Sequence, residues 1–506
     1  MAEPRTRLGA RELFDAVLDP GSFVSWDGAV HSVTEPNSTY AVELAEAAQR
    51  AGTDESIITG EGRIGRRRVA LIAGEFRFLA GSIGRSSAER IVLAFERATR
   101  EGLPLFAGPA SGGTRMQEGT PAFATMVKIT AAVSAFKAAK LPYITYLRHP
   151  TTGGVFASWG SLGHVTVAEP GATIGFLGAR VYEALYGQSF PDGVQTAENL
   201  YANGLLDAIL PVDELTATAE RFLDLVLAPR VGSAIPESEP TPWPDIPAWE
   251  SIVRTRRPER PGVRELLKLG ASDVIPLHGT GAGEWDRSLF LALARFGGMP
   301  CVVLGQDRRH TPGPGGALET VDKPLSPSGL RVARRGMKLA TELDLPLVSV
   351  IDTSGAALSK AAEEGGLAGE IARCLAELVA HAEPTLCVLL GQGTGGGAIA
   401  LMPADRVIAA QHSWLSPLPP EGASAILYRT TEHAPHIAAQ QRIRSIDLLA
   451  DGIVDRVVAE HPDAADEPAE FCRRMAQAIA GELTRLTQMR AASRLAARHD
   501  RYRRLG

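Results

Sequence analysis

Cysteine is scarce in this chain: four among 506 residues, at Cys301, Cys374, Cys387 and Cys472, with no CxxC pair. The scarcity argues against a disulfide framework and a cysteine metal knuckle, and the four read as small apolar residues in a reducing compartment. Long apolar runs are also missing. None approaches the ~18 residues that a membrane span needs. The opening MAEPRTRLGARELF has no apolar stretch of the secretory-signal kind, so a cytoplasmic location is expected. Positive charge is not in excess: the net charge is −6, which leaves no electrostatic footprint for nucleic acid. Metal-ligand spacing is lacking around His149, His164, His310 and His433, which read as loop or surface histidines. No G-x-S-x-G elbow surrounds Ser111 or Ser354, so a serine nucleophile is not indicated.

What the chain does contain is a duplication. LPLFAGPASGGTR at 103–115 and LPLVSVIDTSGAA at 345–357 are apolar runs that end in Ser-Gly, at Ser111-Gly112 and Ser354-Gly355. A helical pattern, a second apolar run and a glycine pair follow each. The interval from Gly112 to Gly153 is 153 − 112 = 41, and from Gly355 to Gly396 it is 396 − 355 = 41. Matching closes come at Gly204-Leu205-Leu206-Asp207 and Gly452-Ile453-Val454-Asp455. A repeat this long fits two related domains rather than a solenoid.

Strand patterns at 67–73, 75–80, 103–107, 142–147, 164–168 and 173–176 alternate with helical ones at 86–100 and 122–140. The second half repeats this, with strands at 301–304, 347–351, 385–390 and 406–409 and helices at 329–342 and 367–381. Such alternation predicts βαβ units and an α/β fold in each half. Eight prolines between Pro229 and Pro261 predict a linker through which no regular element runs. The domains expected are therefore 1–228 and 263–506, joined by 229–262. The Arg/Ala-rich tail after Pro468 predicts helix with a solvated charged face.

The glycine pairs carry the chemistry. Gly153-Gly154 follows an apolar strand, where glycine lets backbone approach a ligand and amides stand unpaired. Such donors stabilise an oxyanion as an enolate develops, by on the order of 3 kcal/mol each. The second pair lies in Gly391-Gln-Gly-Thr-Gly-Gly-Gly397-Ala398, which also matches GxGxxG. Pro403 stops any helix after about seven residues, which argues against a dinucleotide fingerprint. Glu118, Glu363 and Glu364 read as first-turn acids that suit a helix dipole rather than as general bases.

These segments resemble the carboxyltransferase subunits of bacterial acetyl-CoA carboxylase joined in one chain. PASGGTRMQEG at 109–119, HPTTGGVFASWGSLGH at 149–164 and AEPGATIGFLGARVYE at 168–183 are similar to the β subunit. IDTSGAALSKAAEEGGLAGEIA at 351–372, GQGTGGGAIAL at 391–401 and SPLPPEGASAILYR at 416–429 resemble the α subunit. The fused arrangement also resembles propionyl-CoA carboxylase carboxyltransferases. The resemblance implies two tandem crotonase-like domains of ββα-spiral type. It implies acyl-CoA on the first copy and carboxybiotin on the second, meeting between protomers of a dimer or hexamer. Gly153 and Gly154 would hold the thioester oxygen; Gly397 and Ala398 would hold the biotin ureido oxygen. Gly112 and Gly113 would shape the acyl-CoA pocket, with Gly355 and Gly396 in the corresponding places of the second copy. The product expected is a malonyl-CoA-type acid made from acetyl-CoA or another short acyl-CoA.

No biotin attachment motif is evident, so biotin carboxyl carrier protein and biotin carboxylase are expected as separate chains. The β subunit's four-cysteine zinc ribbon has no counterpart before Cys301, and metal is not expected. His149, Thr114, Ser354, Gln392 and the 359–361 loop depart from the family pattern. A biotin-independent malonyl-type decarboxylase and a non-catalytic subunit of a carboxylase complex remain the alternatives.

Overall fold

Unbroken apolar runs, rather than alternating ones, mark the central strands, as burial on both faces of a parallel sheet requires. Leu347–Thr353 and Thr385–Thr394 are buried at every position. A computed structural model of the chain describes residues 8–28, 34–230, 245–312, 318–321 and 323–505. It divides into two units, one of Met1–Asp224 with Gly281–Glu284, the other of Leu225–Thr280 with Trp285–Gly506.

In the first unit a seven-stranded sheet runs in the order 24–25, 57–64, 67–74, 105–108, 143–147, 165–168, 208–209. Ile57–Ile64 and Arg67–Gly74 form an antiparallel hairpin, and the strands after them pair in parallel. The hairpin turns on Gly65 and Arg66, both at positive φ, as a two-residue loop demands. Helices Arg85–Glu101 and Gly119–Ala138 cover the sheet, with Phe95, Phe136 and Tyr143 packed edge to face.

The second unit repeats the plan. Leu289–Phe296 and Met299–Gln306 form the hairpin, turning on Gly297 and Gly298, and Leu347–Thr353, Thr385–Thr394, Arg406–Ala410 and Arg456–Val458 continue in parallel. Helices Pro327–Leu343 and Leu367–Ala380 correspond to the covering pair, and Pro468–Thr487 adds Phe471, Met475, Ile479 and Leu483 to the core. All four cysteines are buried and unpaired, as expected of small apolar residues.

Three local expectations need correction. Residues 75–80 form a turn and a short 3-10 helix at Leu79–Gly81, not a strand. The Glu75 carboxylate accepts from the amides of Ala10 and Arg77, which bends the chain there. The proline-rich window contains a helix, Ala248–Thr255, within the second unit. Pro247 caps its start, where no amide donor is needed, and Pro258 lies beyond its end, so these prolines frame a helix. Residues 231–244, with the prolines at 236, 240, 242 and 244, lie outside the described residues. The tail is helical at Pro468–Thr487 and Ala491–Arg503, but its charges are not all solvated. Arg498 is buried against Asp405 and donates to the carbonyls of Leu378 and His381, while Arg494 reaches the same carboxylate.

Arg260 ties the end of the proline-rich window to the second core. Its guanidinium grips both oxygens of Glu460, at 2.6 and 2.8 Å, and donates to the Leu390 carbonyl. Glu460 also accepts from the amides of His412 and Ala464. Burial pushes this carboxyl up, yet the Arg260 charge and the hydrogen bonds outweigh it and hold the group down at about 2. A depressed folded-state pKa gives stability that is present above the unfolded pKa and is lost as pH falls towards the folded one. Urea melts should therefore show stability falling from about pH 5 towards pH 2, with a shallower fall in Glu460→Gln. Arg260→Met, which leaves the carboxylate buried and unpaired, should lose about 3–5 kcal/mol at pH 7.

Candidate active site

Strand Leu105–Gly108 runs out into Pro109–Thr114, and strand Tyr143–Leu147 into the short strand Thr151–Thr152. A bridge between Ser111 and Thr151 brings the two exits side by side. Gly113 (φ +113°) and Gly153 (φ +62°) then meet backbone to backbone: a Cβ on Gly153 would lie 3.2 Å from the Gly113 Cα. A Cβ on Gly113 would stand 3.8 Å from the Gly154 nitrogen. Small residues here keep that nitrogen accessible. The Ala157 amide closes a turn onto the Gly153 carbonyl, and among the described residues the amides of Gly154, Val155 and Phe156 have no acceptor.

The other predicted amides of the first unit are engaged. Gly112 N–H donates to the Ala80 carbonyl at 2.8 Å and Gly113 N–H to Ser111 Oγ at 3.0 Å. Gly153 N–H is shared by the carbonyls of Gly175 and Phe176, at 3.1 and 3.0 Å. Of the pair expected to donate to an oxyanion, Gly154 is thus the one whose N–H is open. Gly153 instead supplies the left-handed φ that turns the chain.

The second unit has the same geometry, in a register one residue from the expected one. Gly355 (φ +139°) takes the place of Gly113, and Gly395 (φ +59°) that of Gly153: 355 − 113 = 242 and 395 − 153 = 242. Thr353 Oγ1 accepts from the Gly355 amide as Ser111 Oγ accepts from that of Gly113. The bridge Ile83 to Thr114 recurs as Leu325 to Ala356, and Ser111 to Thr151 as the pairing of Thr353 with Gly393. Gly396, not Gly397, is therefore the counterpart of Gly154. Even the neighbour corresponds, since a Cβ on Gly154 would meet Met126 and one on Gly396 would meet Ile371.

Gly395–Ile399 forms a short helix that starts after Thr394. Helix geometry leaves the amides of Gly395, Gly396 and Gly397 without partners inside it, whereas that of Ala398 comes where the turn closes on Thr394. Of the expected Gly397–Ala398 pair, Gly397 is thus the one whose N–H the helix leaves open. Its α-carbon packs on the opposing turn: a Cβ there would lie 2.9 Å from the Gly355 carbonyl carbon. The helix is five residues long, ending before Pro403, which fits the argument against a dinucleotide site.

Charged side chains hold these turns from behind. Arg115, buried, pairs with Glu55 and approaches Glu118 at 3.4 Å, and Tyr40 donates to Glu118 at 2.6 Å. Burial, then the hydrogen bond to Glu118, push the Tyr40 hydroxyl well above its ordinary pKa. Glu118 stands in the first turn of the 3-10 helix Met116–Glu118 and at the N-cap position of Gly119–Ala138, as expected, and its carboxylate also accepts from the Arg85 amide at 2.6 Å at the start of Arg85–Glu101. Glu363 lies in the first turn of Lys360–Glu364 as expected, and Glu364 pairs with Lys360. In the second unit Arg256 grips Glu421 at 2.5 Å and touches Gln392 at 3.3 Å, which joins helix Pro420–Tyr428 to the strand leading into Gly395.

The histidines have structural places. His149 Nδ1 accepts from the Thr173 amide, and His164, buried rather than on the surface, accepts from that of Tyr143. His433 precedes helix Ala434–Gln440 and packs on Tyr428; the His310 side chain lies outside the described residues. The sequence reading missed Ser111 and Thr353 as turn-forming hydroxyls. Their shared signal is a hydroxyl two residues before a glycine.

The carboxyl transferase domain family matches residues 2–495. A probable biotin-dependent acyl-coenzyme A carboxylase beta3 subunit of Mycobacterium tuberculosis is 59% identical over 501 residues, covering 99% of both chains. The acetyl-coenzyme A carboxylase carboxyl transferase subunits beta/alpha of Salinispora arenicola are 34% identical over 99% of this chain and 91% of that one. Among solved structures, transcarboxylase 12S, a hexamer with methylmalonyl-coenzyme A and methylmalonic acid bound, superposes with a TM-score of 0.73. The identity is 21%, over 96% of this chain and 91% of that chain. Its likeness is one of fold, and the fold is the tandem crotonase-like one expected above.

The two glycine positions should differ in tolerance. Gly397→Ala presses a methyl on rigid backbone, so denaturant melts should show a loss of about 1–3 kcal/mol. Gly154→Ala meets the mobile end of Met126 and should lose less than about 1 kcal/mol.

Proposed function

The chain belongs to the carboxyl transferase family, and on that premise we propose how it acts as the carboxyltransferase subunit of a biotin-dependent acyl-CoA carboxylase. Its reaction moves a carboxyl group to an acyl-CoA. What the residues would contribute is main-chain electrostatics. The Gly154 amide, with Val155 and Phe156 beside it, would donate to the thioester oxygen as negative charge develops on forming the enolate. That arrangement lowers the barrier because the donors are already oriented and need no reorganisation. Gly113 would keep the approach to Gly154 clear.

In the second unit Gly397, flanked by Gly396 and Ala398, would hold the ureido oxygen of carboxybiotin. Carboxybiotin, a substrate presented by a separate carrier protein, supplies CO2 and, once decarboxylated, the nitrogen that takes the α-proton. No side chain of this chain needs to serve as the base. The acyl group we propose is acetyl or another short one. A biotin carboxyl carrier protein and a biotin carboxylase would complete the system, and copies of this chain would associate as a dimer or hexamer. The domain limits we propose follow the two units, Met1–Asp224 with Gly281–Glu284 and Leu225–Thr280 with Trp285–Gly506. One observation supports the reading above the rest: glycine turns with open amides recur in the same register in both units.

The reverse reaction tests it. Purified chain given malonyl-CoA or methylmalonyl-CoA and free biotin should release the carboxyl group only when biotin is present. Loss without biotin would mark a decarboxylase, and no turnover with any acyl group a non-catalytic subunit. Gly154→Pro and Gly397→Pro each remove a proposed donor, so each should cut turnover by about 100-fold or more in a folded protein. Full activity in either would remove that amide from the mechanism.

A further inference from the structure

Gln306 ends the strand Met299–Gln306 and is buried, 2% exposed. Its Nε2 donates to the Gly397 carbonyl at 2.8 Å, while its Oε1 accepts from the Asp352 amide at 3.0 Å. The two partners fix which end of the amide is which, because a carbonyl demands a donor and an N–H an acceptor. Asp352 in turn receives the Gln392 amide on Oδ1 at 3.0 Å. One side chain thus joins the strand that leads to Gly355 to the turn that carries Gly397.

The Gly397 carbonyl is available for this because the short helix does not use it. Leu401 N–H turns to the Ala398 carbonyl and Met402 N–H to that of Ile399. In a planar trans peptide the carbonyl and the following N–H point in opposite directions. A side chain that pins the Gly397 carbonyl therefore fixes the Gly397–Ala398 peptide and anchors the chain immediately after the Gly397 N–H. The first unit does this differently. Val155, the counterpart of Gly397, has its carbonyl taken by the Gly160 amide of its own turn, at 3.0 Å. The second unit has borrowed a side chain from a neighbouring strand.

We propose that Gln306 is a positioning residue for the second oxyanion site, acting on the biotin half of the reaction and not on the acyl-CoA half. It touches neither substrate. It holds the Gly397–Ala398 peptide, next to the N–H that would. The proposal rests on the assignment of biotin to the Gly396–Ala398 turn, and the test separates the two.

Reverse-reaction kinetics with free biotin and malonyl-CoA would be measured for Gln306→Met, which keeps the volume and removes both hydrogen bonds, and for Gln306→Glu. The glutamate keeps an acceptor for Asp352 N–H but, when ionised, no donor for the Gly397 carbonyl. Calorimetric titration with acyl-CoA reports whether each variant is folded and competent. The expected result is a fall of at least about tenfold in kcat/KM for biotin in both variants, with acyl-CoA affinity within twofold of the parent. Equal losses towards both substrates, or biotin kinetics unchanged in either variant, overturn it. If Gly397→Pro also leaves biotin kinetics untouched, the assignment of biotin to this turn has failed. If that variant loses biotin turnover while the Gln306 variants do not, the positioning role alone has failed.

Discussion

Two turns of main chain pressed together with no side chain between them are the constraint from which the rest of each unit follows. In the first unit the α-carbons of Gly113 and Gly153 face each other, and in the second Gly397 lies on the Gly355–Ala356 peptide. Any Cβ at these contacts would push the turns apart or strain a left-handed φ. The parallel strands exist in this light to deliver two chain ends to one point. The Ser111 and Thr353 hydroxyls then take up the amides of Gly113 and Gly355, so that these do not compete for a ligand. What stays open is a short run of N–H groups, the one polar feature such a junction can expose without a polar side chain.

Much of this was readable in the residues. Buried parallel strands declare themselves through unbroken apolar runs, and the helices at 329–342 and 367–381 lie within a residue or two of the observed 327–343 and 367–380. The duplication was legible as well, though its register was not. Aligning Ser111-Gly112 with Ser354-Gly355 matches letters, whereas the fold matches a hydroxyl two positions before a positive-φ glycine, which shifts the alignment by one. Letter identity cannot report φ. The engaged state of the Gly153 amide was hidden for a similar reason, since its acceptors, the carbonyls of Gly175 and Phe176, come from a separate segment. Proline misled in the window around 229–262 because its effect depends on position: at a helix start it is tolerated, and Pro247 is at one.

The charged residues tell a complementary story about burial. Arg260, Arg494 and Arg498 all sit inside the second unit, each paired with a carboxylate. A guanidinium can satisfy several carbonyls as well as a carboxylate from one planar fork, and so it can pin segments remote in sequence to one strand end. Arg260 reaches the Leu390 carbonyl on the strand that leads into Gly395. Ion pairs of this sort specify where a segment docks more than they raise stability. The apparent excess of arginine in the tail is part of the scaffold.

A site assembled from peptide groups has an evolutionary consequence. Mutation replaces side chains, and the N–H of Gly154 survives almost any exchange around it except proline at its own position or bulk that moves the turn. Side chains such as those of His149, Thr114, Ser354 and Gln392 could therefore change while the proposed donors stay where they are. Where such amides are the donors, the side chains around them can change while the N–H groups persist.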